Sequence, residues 1–109
     1  DVEAMQRAAV YLEGKHDYKS FCGNSRMKKS TVRIVDTIQI QRRKGYVYLT
    51  FHGTGFLQNM VRIMAGTLIE VGLGRMQAEE VQEILEACDR KVAGPTAPAK
   101  GLCLIQVDY

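Results

Sequence analysis

Phe51-His52-Gly53-Thr54-Gly55-Phe56-Leu57-Gln58-Asn59-Met60-Val61-Arg62-Ile63-Met64-Ala65-Gly66-Thr67 reads as the end of a strand, a tight glycine turn and the opening of a strongly apolar helix. From Phe56 to Val71, the residues Phe56, Leu57, Met60, Val61, Ile63, Met64, Leu68, Ile69 and Val71 cover most of the helix circumference. A helix apolar nearly all round is a buried one. Its few polar members Gln58, Asn59 and Arg62 fall within one turn of each other and share a face. A charge on such a helix needs a partner, because an unpaired buried charge is very costly.

Upstream, Val32, Ile34, Ile38 and Ile40 alternate with Thr31, Arg33, Thr37, Gln39 and Gln41. Period two over this length predicts a half-buried antiparallel strand with the aliphatic set inward and Arg33 outward. Lys44-Gly45 makes the turn, and Val47, Leu49 and Phe51 carry the apolar face along a return strand. Ahead of this hairpin, Val2, Met5, Ala8, Ala9 and Leu12 predict a helix over Val2 to Glu13, while Lys15 to Phe21 shows no sustained period.

Downstream, Gly72-Leu73-Gly74 closes the apolar helix, and a third helix is predicted over Gln77 to Asp89 with Val81, Ile84, Leu85 and Cys88 inward. Gly94 to Gly101, with two prolines, is loop, and Leu102 to Tyr109 reads as a last strand. The order α-β-β-α-α-β predicts an α+β fold: an antiparallel sheet with helices packed on one face, as a single domain over 1–109.

The net charge of +3 is too mild to demonstrate nucleic-acid binding, but the charge is unevenly placed. Arg26, Lys28, Lys29, Arg33, Arg42, Arg43 and Lys44 face the single acid Asp36 in one stretch, whereas Gly53 to Arg90 is acidic. The basic run is either a solvated face or a surface that tracks phosphates. Cys22, Cys88 and Cys103 show no metal-type pairing and suggest reduced thiols in a cytoplasmic protein. Arg62 and Glu70 interrupt the apolar helix, which argues against a membrane span.

Chemistry is harder to read from the residues alone. Gly53-Thr54-Gly55 lacks the third glycine of a dinucleotide fingerprint, no Walker lysine follows, and a plain turn is the first reading. His16-Asp17 and His52 form no ligand cluster, and Ser20, Ser25 and Ser30 lie in no nucleophile elbow. Arg62 keeps two readings. One is an internal ion pair with Glu70, Asp36 or Asp108; the other is a guanidinium that holds a catalytic carboxylate or a phosphate.

Gly55 to Thr67 followed by Glu70-Val71-Gly72 resembles the signature of the A-type tRNA pseudouridine synthases, and His16-Asp17-Tyr18 to Phe21 and Ala97 to Leu104 resemble further stretches of that family in the same order. The resemblance covers essentially the whole chain, and it is to the C-terminal half of such an enzyme. The family's Arg-x-Asp-type motif with the catalytic aspartate, and a tyrosine that stacks on the target base, belong to an N-terminal half and are not found here. Asp17, Asp36, Asp89 and Asp108 do not stand in the context to replace that aspartate.

The resemblance implies an isomerase that converts uridine to pseudouridine in the anticodon arm of tRNA, with no metal and no redox cofactor. It implies that Arg62 forms the salt bridge to the absent aspartate and that Leu102 lines the uracil pocket, with Asn59 and Phe56 assigned to the same substrate site. His16, Arg26, Lys28, Lys29, Arg42 and Arg43 would meet tRNA phosphates. Implied partners are tRNA, the N-terminal half and a second copy in a homodimer, without a membrane. The chain alone is expected to be inactive. The rival reading is a non-catalytic RNA-binding or dimerisation module on the same scaffold.

Overall fold

The computed structural model describes residues 1–24, 29–57, 59–94 and 103–108, the last of these by its backbone. Helix α1 (Val2–Leu12) leads into strand β1 (Gly14–Asp17), followed by β2 (Val32–Arg43), β3 (Tyr46–Gly53), α2 (Met60–Gly72), α3 (Glu80–Ala87) and β4 (Cys103–Asp108). Short 3-10 turns occupy Lys19–Phe21 and Arg90–Val92. The four strands form one sheet in the order β1-β2-β3-β4. The α+β class stands, with two refinements to the antiparallel sheet expected: β1 was not legible, and β4 joins β3 in parallel. A strand of four residues pairs by register rather than by any alternation of its own.

Each element forms for a local reason. Asp1 caps α1, its carboxylate accepting from the amide of Ala4 at 3.1 Å. The β2–β3 hairpin turns on Lys44 (φ 50°) and Gly45 (φ 83°), the paired positive φ values that suit the right-handed twist of the flanking strands. The apolar helix starts at Met60 rather than Phe56, because Asn59 takes the left-handed conformation (φ 58°) just before it. Nine of the thirteen residues of α2 are buried, as its composition requires. The predicted inward sets of α1 and α3 are buried too, except that Val2 at the start of α1 and Cys88 just past α3 are half-buried.

The core lies between the three helices and one face of the sheet, where Val35, Ile38, Ile40, Leu49 and Phe51 are buried. Gln39 and Gln41 are exposed on the other face. A bulge between Val35 and Thr37 breaks the predicted single alternation of β2. Ahead of it the inward residue is Val35, so Val32 and Ile34 turn outward and are 39% and 38% exposed. Arg33 then shares the helix-side face with Val35, the reverse of the outward position that strict alternation assigned to it.

Because β1 is short, β2 runs past it with an open edge. One side chain of α1 and one from the residue that ends it close that edge. The amide of Ile38 donates to the Glu13 carboxylate at 2.8 Å, and Gln6 Nε2 donates to the carbonyl of Ile40 at 3.0 Å.

Candidate functional site

The turn into α2 is built by close backbone approach. A Cβ on Gly53 would stand 2.6 Å from the Ile34 carbonyl oxygen and 3.2 Å from Cζ of Phe56, so only glycine fits. The amide of Thr54 donates to that same Ile34 carbonyl at 3.1 Å. Gly53-Thr54-Gly55 therefore continues the β2–β3 pairing and commits an amide that a phosphate nest would need. Phe56 folds back over Gly53, half-buried against the core.

Arg62 lies one turn into α2 on the exposed side of this otherwise buried helix. Asn59, three residues earlier, is exposed beside it on the same face. The Asn59 side chain does not cap the helix. Of the three carboxylates weighed as internal partners of Arg62, Glu70 also meets Arg75 at 3.5 Å and Asp36 meets His52 Nδ1 at 2.9 Å, while Asp108 is described by its backbone alone. The left-handed conformation, which asparagine tolerates better than most residues, sets the entry angle of the helix and leaves Asn59 and Arg62 together on its exposed face.

Thr67 bonds in two directions on α2. Its hydroxyl donates to the Ile63 carbonyl at 2.9 Å and accepts from the Gly94 amide at 3.0 Å. A Cβ on Gly94 would lie 2.8 Å from Cα of Thr67, so the chain passes against the helix backbone with room for glycine alone. This contact brings the segment that leads toward β4 onto α2 five residues beyond Arg62. Leu102, assigned to the uracil pocket, lies outside the described residues, as do Arg26, Lys28 and Gln58.

The remaining candidates divide between the two ends of β2. His16 on β1 pairs in register with Arg33, and its Nε2 donates to the Glu13 carbonyl at 2.8 Å, a bond that fixes the ring. Lys29 is exposed just before β2. Arg42 and Arg43 are exposed at the far end, beside the hairpin turn. Ten residues of extended chain separate Arg33 from Arg43, about 30 Å at the usual strand rise. The basic run is thus not one patch. His16, Lys29 and Arg33 lie toward the end of the sheet from which α2 starts, and Arg42 and Arg43 lie away from it.

Tyr18 anchors the chain beside His16. Its hydroxyl is hydrogen-bonded to the carbonyls of Leu12 (2.6 Å) and Gly14 (2.9 Å), and its ring meets that of His16 edge-on at 5.8 Å. Burial, aided by the nearby Glu13 carboxylate, pushes its phenol well above the usual tyrosine range. Such a group is a structural donor at neutral pH. Sequence reasoning counted Arg33 in the basic run but gave it the wrong face, because the bulge is not visible in the sequence, and it missed Gly94, which gave no local signal beyond being the first residue of a loop.

Comparison with known proteins adds to this geometry. The family model described as tRNA pseudouridine synthase matches residues 8–109. The protein called tRNA pseudouridine synthase A of Brevibacillus brevis is 50% identical over 109 residues, covering 100% of this chain and 45% of that protein. The protein of the same name from Acetivibrio thermocellus is 46% identical, again over 100% of this chain and 45% of its own length. That from Halalkalibacterium halodurans is 49% identical over 94% of this chain and 39% of its own length. The chain thus spans less than half the length of these relatives. Among the described residues no helix is long and apolar enough to cross a membrane.

Proposed function

Because the chain belongs to the tRNA pseudouridine synthase family, we propose that the protein isomerises uridine to pseudouridine in tRNA, within the anticodon arm, and that this chain supplies one side of the active site. The observation that carries the reading is Arg62: an exposed guanidinium within the matched motif, on a helix otherwise nine-thirteenths buried. A position this close to the core, on the solvent-facing side of the helix, suits a side chain that orients a group brought from another segment.

The chemistry follows from that role. The N1–C1′ glycosidic bond breaks, the uracil turns within its pocket, C5 bonds to C1′, and the C5 proton is lost while N1 gains one. The net change is an isomerisation. A positioned carboxylate acts as nucleophile or base, supplied by the N-terminal half that the relatives' greater length leaves room for. Arg62 keeps that carboxylate ionised and fixes its angle. Asn59 and Phe56 line the approach, Leu102 closes the pocket, and Lys29, Arg26, Lys28, Arg42 and Arg43 meet the phosphates. The target uridine leaves its stack to enter.

Arg62→Ala in the full-length protein tests this assignment. Turnover is expected to fall on the order of 100-fold while tRNA affinity changes little, since a misplaced catalytic group costs rate rather than binding. Equal losses in both would make Arg62 a phosphate ligand instead. On the same reading, residues 1–109 alone form no pseudouridine, and product from them would refute the need for a second half. The full-length protein is a homodimer in the cytoplasm on this reading, and a monomeric mass by light scattering would remove the dimer from it.

A further inference from the structure

A second arginine stands at the turn into α2, and the catalytic reading leaves it without a task. Arg33 is half-buried on the helix-side face of β2, placed there by the bulge at Asp36. Its side chain runs along Gly55: a Cβ on that glycine would lie 3.9 Å from both Cδ and Nε of Arg33. One terminal nitrogen is fixed, Nη1 donating to the carbonyls of Ser30 at 2.8 Å and Val32 at 2.7 Å. These bonds hold the plane of the guanidinium against the start of its own strand. Its other edge is different. Nε and Nη2 reach no acceptor among the described residues, and no described carboxylate comes within ion-pair distance of Arg33.

An arginine anchored through one nitrogen, with its Nε–Nη2 edge open, presents two parallel N–H donors at fixed spacing. That fork matches the paired oxygens of a phosphodiester, and its planarity is pre-organised in a way a lysine's is not. The neighbouring backbone does not offer a competing anion site, since the Thr54 amide is already bonded to Ile34. Nearby charge adds to the attraction, because Lys29 is exposed just before the strand. The absence of a side chain at Gly55 leaves the rim of the turn open over the fork.

We propose that Arg33 grips a phosphodiester of the substrate strand next to the target nucleotide, holding the strand across the Gly53–Gly55 turn at the mouth of the site that Arg62 serves. The inference rests on the function proposed above and adds a strand-positioning contact to it. Arg33 touches the substrate backbone, away from the reacting base, so its effect belongs in binding.

The test uses the full-length protein and a tRNA stem-loop made with or without a single methylphosphonate at the linkage beside the target uridine. Arg33→Ala should raise KM about tenfold with a smaller change in kcat, and should reduce the slope of log affinity against log salt by about 0.7 to 0.9, the value for one phosphate contact. The neutral linkage should weaken binding by the wild type and leave Arg33→Ala unaffected. Arg33→Lys keeps the charge and should restore the salt slope without the full KM. Gly55→Asp, which sets a carboxylate against the fork while leaving Arg33 in place, should reproduce the loss and guards against an Arg33→Ala protein that does not fold. An unchanged salt slope in Arg33→Ala, or an equal methylphosphonate effect in wild type and variant, overturns the proposal. Should the wild-type protein form no pseudouridine at all, the functional reading fails, whereas the salt and methylphosphonate comparisons still decide the phosphate contact.

Discussion

Tyr18 shows how one residue can set a pH limit on the fold. Its hydroxyl serves the carbonyls of Leu12 and Gly14 only while protonated, and burial raises its pKa above that of an unfolded tyrosine. A raised folded-state pKa means a stabilising contribution fully present below the unfolded value, about 10, and lost as pH climbs past it toward the folded value. Denaturation midpoints are therefore expected to fall on the alkaline side of pH 10. Tyr18→Phe should cost about 1 kcal/mol at neutral pH and flatten that alkaline limb. A variant with an unchanged limb would assign the alkaline loss to another group. At the same scale, the hydrogen bond to the Glu13 carbonyl makes His16 a ring held in place for structural reasons, whatever its part in meeting RNA.

At the scale of the element, the bulge in β2 matters most. It moves Arg33 to the helix side and turns Val32 and Ile34 outward, just where β1 ends and the amide of Ile38 is left beyond its reach. Glu13 accepts that amide with a charged oxygen. Glu13→Ala is expected to destabilise the chain by about 1–2 kcal/mol, with Glu13→Gln recovering part of the loss, as measured by urea titration. Equal stability of the alanine variant would mean that water replaces the carboxylate without penalty. Most of the element pattern was legible beforehand. The amphipathic spacing of α1 and α3, the apolar circumference of α2 and the Lys44-Gly45 turn all carry local signals. The bulge carries none, because an inserted residue leaves composition and propensity unchanged and shows only when a partner strand fixes the register.

For the whole molecule, the question is how far apart the basic residues lie. Arg42 and Arg43 sit about 30 Å along β2 from Arg33, so a tRNA touching both regions must extend well beyond the site. Substituting Arg42 and Arg43 together by alanine should lower tRNA affinity and reduce the salt slope by about 1.4 to 1.8, with kcat retained once tRNA is saturating. A fall in kcat at saturation would place these residues in the chemistry, contrary to their distance from α2. A slope equal to that of the wild type would return them to the solvated face that is the plainer reading of such a run.

By itself the sequence determined the class of the fold, the buried character of α2, the hairpin turn and the identity of Arg62 as the polar exception on an apolar helix. Each of these is encoded within a few residues of its own position, by periodicity, by a glycine at positive φ or by a lone charge among aliphatics. Only the tertiary structure decided that β4 runs parallel to β3, that Arg33 faces the helices, and that Gly94 crosses α2 at Thr67. These depend on which segments meet, and a chain read one window at a time holds no record of its partners. Arg62 needed both: the sequence marked it as a charge out of place, and the fold left it exposed at the turn where two strands deliver their backbone to the helix.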